Sequence, residues 1–238
     1  MKVQTVKRSI SLGLGLLWMF SGGAVKGYAE SGSERRPTVR ISVYNDAGLK
    51  RGTLLHAEEN AEEIFHQAGI ETEWKNCGEE QLVPSGKPCG EAGYPTRLVL
   101  RIERRPRGLI SEPLGVAYLS ETGEGAYCDV FLEPMEELER MGAVSLDTVL
   151  GHVAAHEIGH LLLGVHSHSV NGLMRAHWST QSIEDLKRGV LGFNSRQSAA
   201  MVERLEFAQA SAKDALVTMA GAPPLALSAL PGQCPNAK

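Results

Sequence analysis

The sequence predicts an α/β (α+β) fold: a twisted mixed β-sheet of about five strands, a helix backing it, a long second helix and a C-terminal helix. Three observations predict it. Apolar and polar residues alternate over short runs such as 38–44 and 97–103, as they do in half-buried strands. Apolar residues recur at helical spacing over 54–68 and 145–163. The order of strand, helix, several strands and then the main helix fits layered packing rather than a bundle or a barrel.

The first strand is T-V-R-I-S-V-Y at 38–44. Leu54, Leu55, Ala57, Ala61, Ile64, Phe65 and Ala68 then form one face of a helix that Gly69 terminates. Glu58, Glu59, Glu62 and Glu63 lie between them and read as a solvated outer face rather than a carboxylate site. Residues 70–74 form a second strand, R-L-V-L-R-I-E at 97–103 a third, and 115–119 and 126–131 two more across a glycine-rich turn at 121–125. The helix at 145–163 carries Leu146, Val149, Leu150, Val153, Ile158, Leu161 and Leu162. Ser145 stands at its N-cap, Asp147 in its first turn and Gly164 just past its end. A last helix runs from Ser195 to about Ala212 and buries Met201, Leu205 and Phe207.

With 238 residues, 42% of them hydrophobic and 22% charged, the chain can bury one ordinary core. A net charge of -4 from 24 basic and 28 acidic residues supplies no field to hold a phosphate backbone, so no nucleic acid partner is expected. Lys2, Lys7 and Arg8 precede an apolar run at 10–20 and the small residues Gly27-Tyr28-Ala29, the pattern of a secretory signal peptide. That run falls short of the roughly 20 residues a spanning helix needs, so no stable membrane insertion is expected after cleavage. The expected organisation is a signal peptide at 1–29, a linker at 30–37, a folded domain at 38–212 and a flexible tail at 213–238, in a secreted or periplasmic protein. Oligomeric state is not encoded in any of these features. Cys77, Cys89, Cys128 and Cys234 permit two disulfides in an oxidising compartment, and closing the loop between Cys77 and Cys89 is the simplest pairing.

Inside the long helix lies His156-Glu157-Ile158-Gly159-His160. Residues four apart share a helix face, so both imidazoles reach one cation. Glu157 is not needed as a ligand and stays free to take a proton from metal-bound water. Imidazole ligands and an open site suit a single catalytic Zn2+. His152, one turn earlier, lacks an intervening glutamate and reads as a core histidine, while His177 and Trp178 are placed to line a pocket or, for Trp178, the core.

The stretch H-E-I-G-H-L-L-L-G-V-H-S-H-S-V-N-G-L-M at 156–174 resembles the metzincin zinc signature with its methionine turn, especially in matrix-metalloprotease-like sequences. It also resembles small exported bacterial proteins sharing H-E-I-G-H-L-L-L-G. The resemblance implies a metzincin-like catalytic domain, an active site on the long helix, and a secreted endopeptidase acting on protein or peptide. It makes His156 and His160 ligands, Glu157 the general base and Met174 an apolar floor. The metzincin glycine belongs at position 163, where this chain has Leu163 and places Gly164 one residue later. Metzincin spacing selects His166 as third ligand; a helix one residue longer, and the exported-protein pattern, select His168. The segment 126–131 matches the edge strand that pairs with substrate. Two alternatives keep the same site: an exported zinc-binding module without turnover, and a zinc amidase acting on cell-wall peptide.

Overall fold

The computed structural model describes residues 36–78, 89–105, 113–166 and 168–220. The expected signal peptide, most of the linker, the loop 79–88, Cys234 and the tail beyond 220 lie outside the described residues. The elements run β1 (Thr38–Asn45), α1 (Arg51–Gln67), β2 (Glu71–Cys77), β3 (Arg97–Glu103), β4 (Gly115–Tyr118), β5 (Tyr127–Phe131), α2 (Leu132–Arg140), α3 (Leu146–Leu163), α4 (Thr180–Lys187) and α5 (Ser195–Ala220). The fold is mixed α/β, with five strands in the order β2-β1-β3-β5-β4. β2, β1, β3 and β5 are parallel, and β4 alone runs antiparallel, against β5.

Strand composition explains the burial. Val39, Ile41 and Val43 of β1 are buried while Arg40 is exposed, and β3 buries Leu98, Leu100 and Ile102, with Val99 buried as well and Arg97 and Arg101 exposed, so the strands keep one continuous apolar face. In register beside β3, Ile41 and Val43 of β1 face Leu98 and Leu100 and are fully buried. Ala57, Ala61 and Phe65 of α1 and Val149, Leu150 and Val153 of α3 join the same core. Every residue of α3 from Val149 to Leu162 is buried, His152, His156, Glu157 and His160 included.

The approach of α3 to α1 depends on Gly151. A Cβ there would lie 2.6 Å from the Ala57 carbonyl oxygen and 2.7 Å from Asn60 Cβ. Gly151→Ala gains up to ~1 kcal/mol of helix propensity but overpacks a backbone contact, which costs roughly 1–3 kcal/mol. The overpacking wins, and the denaturation midpoint of the variant is expected to fall.

Several features depart from the sequence reading. β5, read as the substrate-pairing edge, is interior; β4 is the edge of the sheet at that end. α2 and α4 were not foreseen. α2 begins directly at the end of β5 with no loop and buries only Leu132 and Met135; α4 starts at a capping box between Ser179 and Ser182 and buries Ser182 and Leu186. Ser145 occupies the N-cap of α3 without a capping bond, its hydroxyl engaging Thr148 Oγ1 at 2.8 Å instead. Glu58 is buried while Glu59, Glu62 and Glu63 are solvated, and Leu55 is exposed. On α5, Met201 and Leu205 are fully buried but Phe207 is 76% exposed. Two residues past Leu205, at about 100° per residue, Phe207 falls on the opposite face. α5 continues to Ala220, past the expected end near Ala212. Cys77 and Cys89 are bonded, whereas Cys128 is a free thiol buried on β5, so the second disulfide expected to draw on it does not form there. Among the described residues no helix is long and apolar enough to cross a membrane.

Candidate metal and catalytic site

Because α3 is rigid and enclosed, it presents His156, Glu157 and His160 from fixed positions, all three buried. α3 ends at Leu163, and Gly164 takes the left-handed conformation at φ 67° that reverses the chain. The helix therefore runs through the position where the metzincin pattern has its glycine. Gly164 packs against the Gly123 carbonyl and the Arg204 guanidinium, and Arg204 Nη1 donates in turn to Tyr94 Oη. The reversed chain brings His168 back over the helix.

His156, His160 and His168 then offer ring nitrogens that all lie within 4.8 Å of one another. The rings of His156 and His168 stack at 5.4 Å, and those of His160 and His168 meet edge-on at 4.9 Å. His166 is exposed, its ring 6.4 Å from that of His160, and it lies outside this group. His152 is buried one turn away, its Nδ1 on the Thr148 carbonyl at 2.9 Å, and it too stays outside.

Hydrogen bonding fixes the tautomers. His156 Nδ1 lies 2.8 Å from the Leu173 carbonyl and His160 Nδ1 lies 2.8 Å from the Val165 carbonyl. A carbonyl only accepts, so each Nδ1 carries the proton and each Nε2 is left with its lone pair. Those two Nε2 atoms face each other at 3.1 Å. Burial holds His160 below the usual imidazole range and brings His156 down to about 4, so neither ring is protonated at neutral pH to relieve the clash of lone pairs. Two neutral imidazoles aiming lone pairs at one point is a donor set that fits a borderline-soft cation such as Zn2+.

Met174 is fully buried beneath this pair. A Cβ on Gly159 would sit 2.9 Å from Met174 Sδ and 2.7 Å from Phe193 Cε1, so Gly159 lets the methionine close under the helix. Glu157 lies opposite Gly115 at the start of β4, where a Cβ would come 2.6 Å from Glu157 Cγ. Trp178 is half-buried beside His156, ring centroids 6.4 Å apart. With His177 it lines a cavity of about 570 Å³ that opens onto His156, Glu157 and His168. Sequence reasoning had not found Gly115 or Arg175, which also lines the cavity. No motif marks the glycine; the arginine stands directly after Met174 and was visible there.

The titration of the site has opposing signs. Burial pushes the Glu157 carboxyl from its usual 4.5 up to about 8, and lowers His152, His156, His160 and His168 from 6.5. For the histidines the unfolded chain binds more protons, so stability is present above pH 6.5 and lost as pH falls toward about 4. For Glu157 the folded chain binds more protons, so stability is present below pH 4.5 and lost as pH rises toward about 8. Between pH 6.5 and 8 the Glu157 carboxyl is the group that changes, so metal-free protein is expected to lose ~2 kcal/mol over that range, as checked by denaturant unfolding in chelator. Saturating zinc is expected to remove that alkaline loss, since a neighbouring dication favours the carboxylate.

No family profile matches the chain, and no curated protein is significantly similar to it in sequence. Solved structures give weak likenesses. A zinc-dependent peptidase from Methanocorpusculum labreanum is 15% identical with a TM-score of 0.48, the match covering 68% of this chain and 99% of that one. Archaemetzincin from Methanopyrus kandleri is 16% identical with a TM-score of 0.45, covering 71% and 96%. Myroilysin is 15% identical with a TM-score of 0.30, covering 69% and 71%. The chemistry of the site stands on its own residues.

Proposed function

We propose that this chain is an exported zinc-dependent endopeptidase in which His156, His160 and His168 hold one Zn2+ and Glu157 is the general base. One observation carries the reading: two buried, neutral imidazoles on one helix face each other through unprotonated Nε2 atoms 3.1 Å apart, with a carboxyl on the adjacent residue. When bound, the ion supplies an acidified water and polarises the scissile carbonyl.

The chain's own groups supply the rest. Glu157, adjacent to His156 and on the wall of the same cavity, is placed for its carboxyl to accept a proton from water and deliver it to the leaving amine. Gly115 gives that carboxyl room. β4 is the edge strand among the described residues, and an extended peptide added there would gain main-chain hydrogen bonds with little demand on its side chains. The Leu173 and Val165 carbonyls hold the imidazoles in the ligating tautomer. A pure binding module has no use for an uncoordinated carboxyl beside the histidines, which favours turnover.

The purified chain is expected to bind about one zinc ion and to degrade casein, with activity lost to a chelator and restored by zinc. A chain that takes up no zinc at neutral pH sinks the proposal.

A further inference from the structure

The cavity beside the site has mixed walls. Leu114, Pro134, Leu138, Val153 and Ile183 make it apolar, and Arg175 joins that lining. Arg175 directly follows the fully buried Met174. Leu173, two residues before Arg175, is fastened on both sides, its N–H donating to the Gly192 carbonyl at 2.9 Å and its carbonyl accepting from His156. The arginine is therefore carried by the same strap that orients a candidate ligand.

Its own interactions are sparse. Arg175 is half-buried, and among the described residues its one hydrogen bond is a long contact to the Ser182 hydroxyl at 3.5 Å. Among the described residues no carboxylate pairs with it, whereas Arg36, Arg40, Arg104 and Arg188 each hold an aspartate or glutamate. Among the described residues, then, a guanidinium partly withdrawn from water beside apolar side chains has no carboxylate counter-ion. A carboxylate supplied from outside would pair with it in the two-pronged geometry that arginine favours.

We infer that this cavity selects a carboxylate on the leaving-amine side of the scissile bond, an acidic side chain or the carboxyl terminus of a short peptide, with Arg175 as the specificity-determining residue. The side follows from Glu157, which shares the cavity wall and delivers its proton to that amine. A volume of about 570 Å³ accepts the methylene stem of a glutamate against the apolar walls with the charged end at Arg175. The inference rests on the endopeptidase reading, and it names the substrate class of the same site.

The test uses peptides identical except for Glu, Gln or Leu after the cleaved bond, each with a free or an amidated terminus. Two quantities are read: kcat/KM with zinc, and affinity for the zinc-free chain by fluorescence anisotropy. Glu or a free terminus is expected to win by about tenfold or more in both, as loss of a charged hydrogen bond implies. The advantage should shrink to within about twofold in Arg175→Met and be reduced but keep its sign in Arg175→Lys, which retains the charge without the two-pronged geometry. An advantage that survives amidation assigns Arg175 to the side chain, and one that needs the free terminus assigns it to the terminal carboxylate. Equal handling of Glu, Gln and amidated peptides by the unaltered chain overturns the inference, as does a preference undiminished in Arg175→Met or one for Glu before the cleaved bond. If casein is cut without such selectivity, the inference fails alone. If binding discriminates but nothing is ever cut, the peptidase reading fails and the assignment of Arg175 stands.

Discussion

Glu157→Ala is expected to keep its zinc and to lose peptide hydrolysis by roughly 10²–10⁴-fold, the usual contribution of a positioned general acid–base. Glu157 lies on α3 between the two histidine positions but outside the group of ring nitrogens that approach within 4.8 Å, so truncating it leaves the donor set whole. Folding should survive the change. Burial raises the carboxyl to about 8, which means the ionised group is held in a poorly solvated place, and alanine there removes a cost rather than a support. The measurement is kcat/KM on a casein-derived peptide beside metal content by elemental analysis. Retention of full activity in this variant would remove the mechanism, and loss of zinc along with activity would place the carboxylate among the ligands.

His168→Ala is expected to weaken zinc binding by ~10²-fold or more, because even the partners of ligands cost 10–100-fold when removed. His166→Ala should bind zinc as the unaltered chain does. The contrast follows from position: both loop histidines are exposed, but the His168 ring packs against both helix histidines while that of His166 is 6.4 Å from the His160 ring. Competition with a chromophoric chelator reads both affinities. The opposite ranking would hand the third position to His166 and imply that the loop rearranges on metal binding.

Much of the arrangement was legible because long periodic segments announce themselves. β1, β3, α1 and α3 each repeat their pattern often enough to be read from the chain alone, and the histidines of α3 follow from helical geometry. What escaped was decided by tertiary context. α2 and α4 each bury two residues, too few to establish a period. The places of β4 and β5 in the sheet cannot be told from their own composition, since both are short and apolar; only the antiparallel return of β4 puts it at the edge. Phe207 was assigned by hydrophobicity alone, although its spacing from Leu205 already turned it outward. Gly115 owes its meaning to a side chain more than forty positions later in the chain, and no local rule connects the two.

The contact of Gly164 with Arg204, and of Arg204 with Tyr94, ties the descent of the ligand-bearing loop to two remote parts of the polypeptide. A shortened version ending before Arg204 would retain every histidine and Glu157 yet release the strut that sets where the chain leaves α3. Under the proposed zinc reading, a fragment that keeps this geometry must reach into α5, and deletions from the carboxyl end past Arg204 are expected to lower zinc affinity while every histidine is still present.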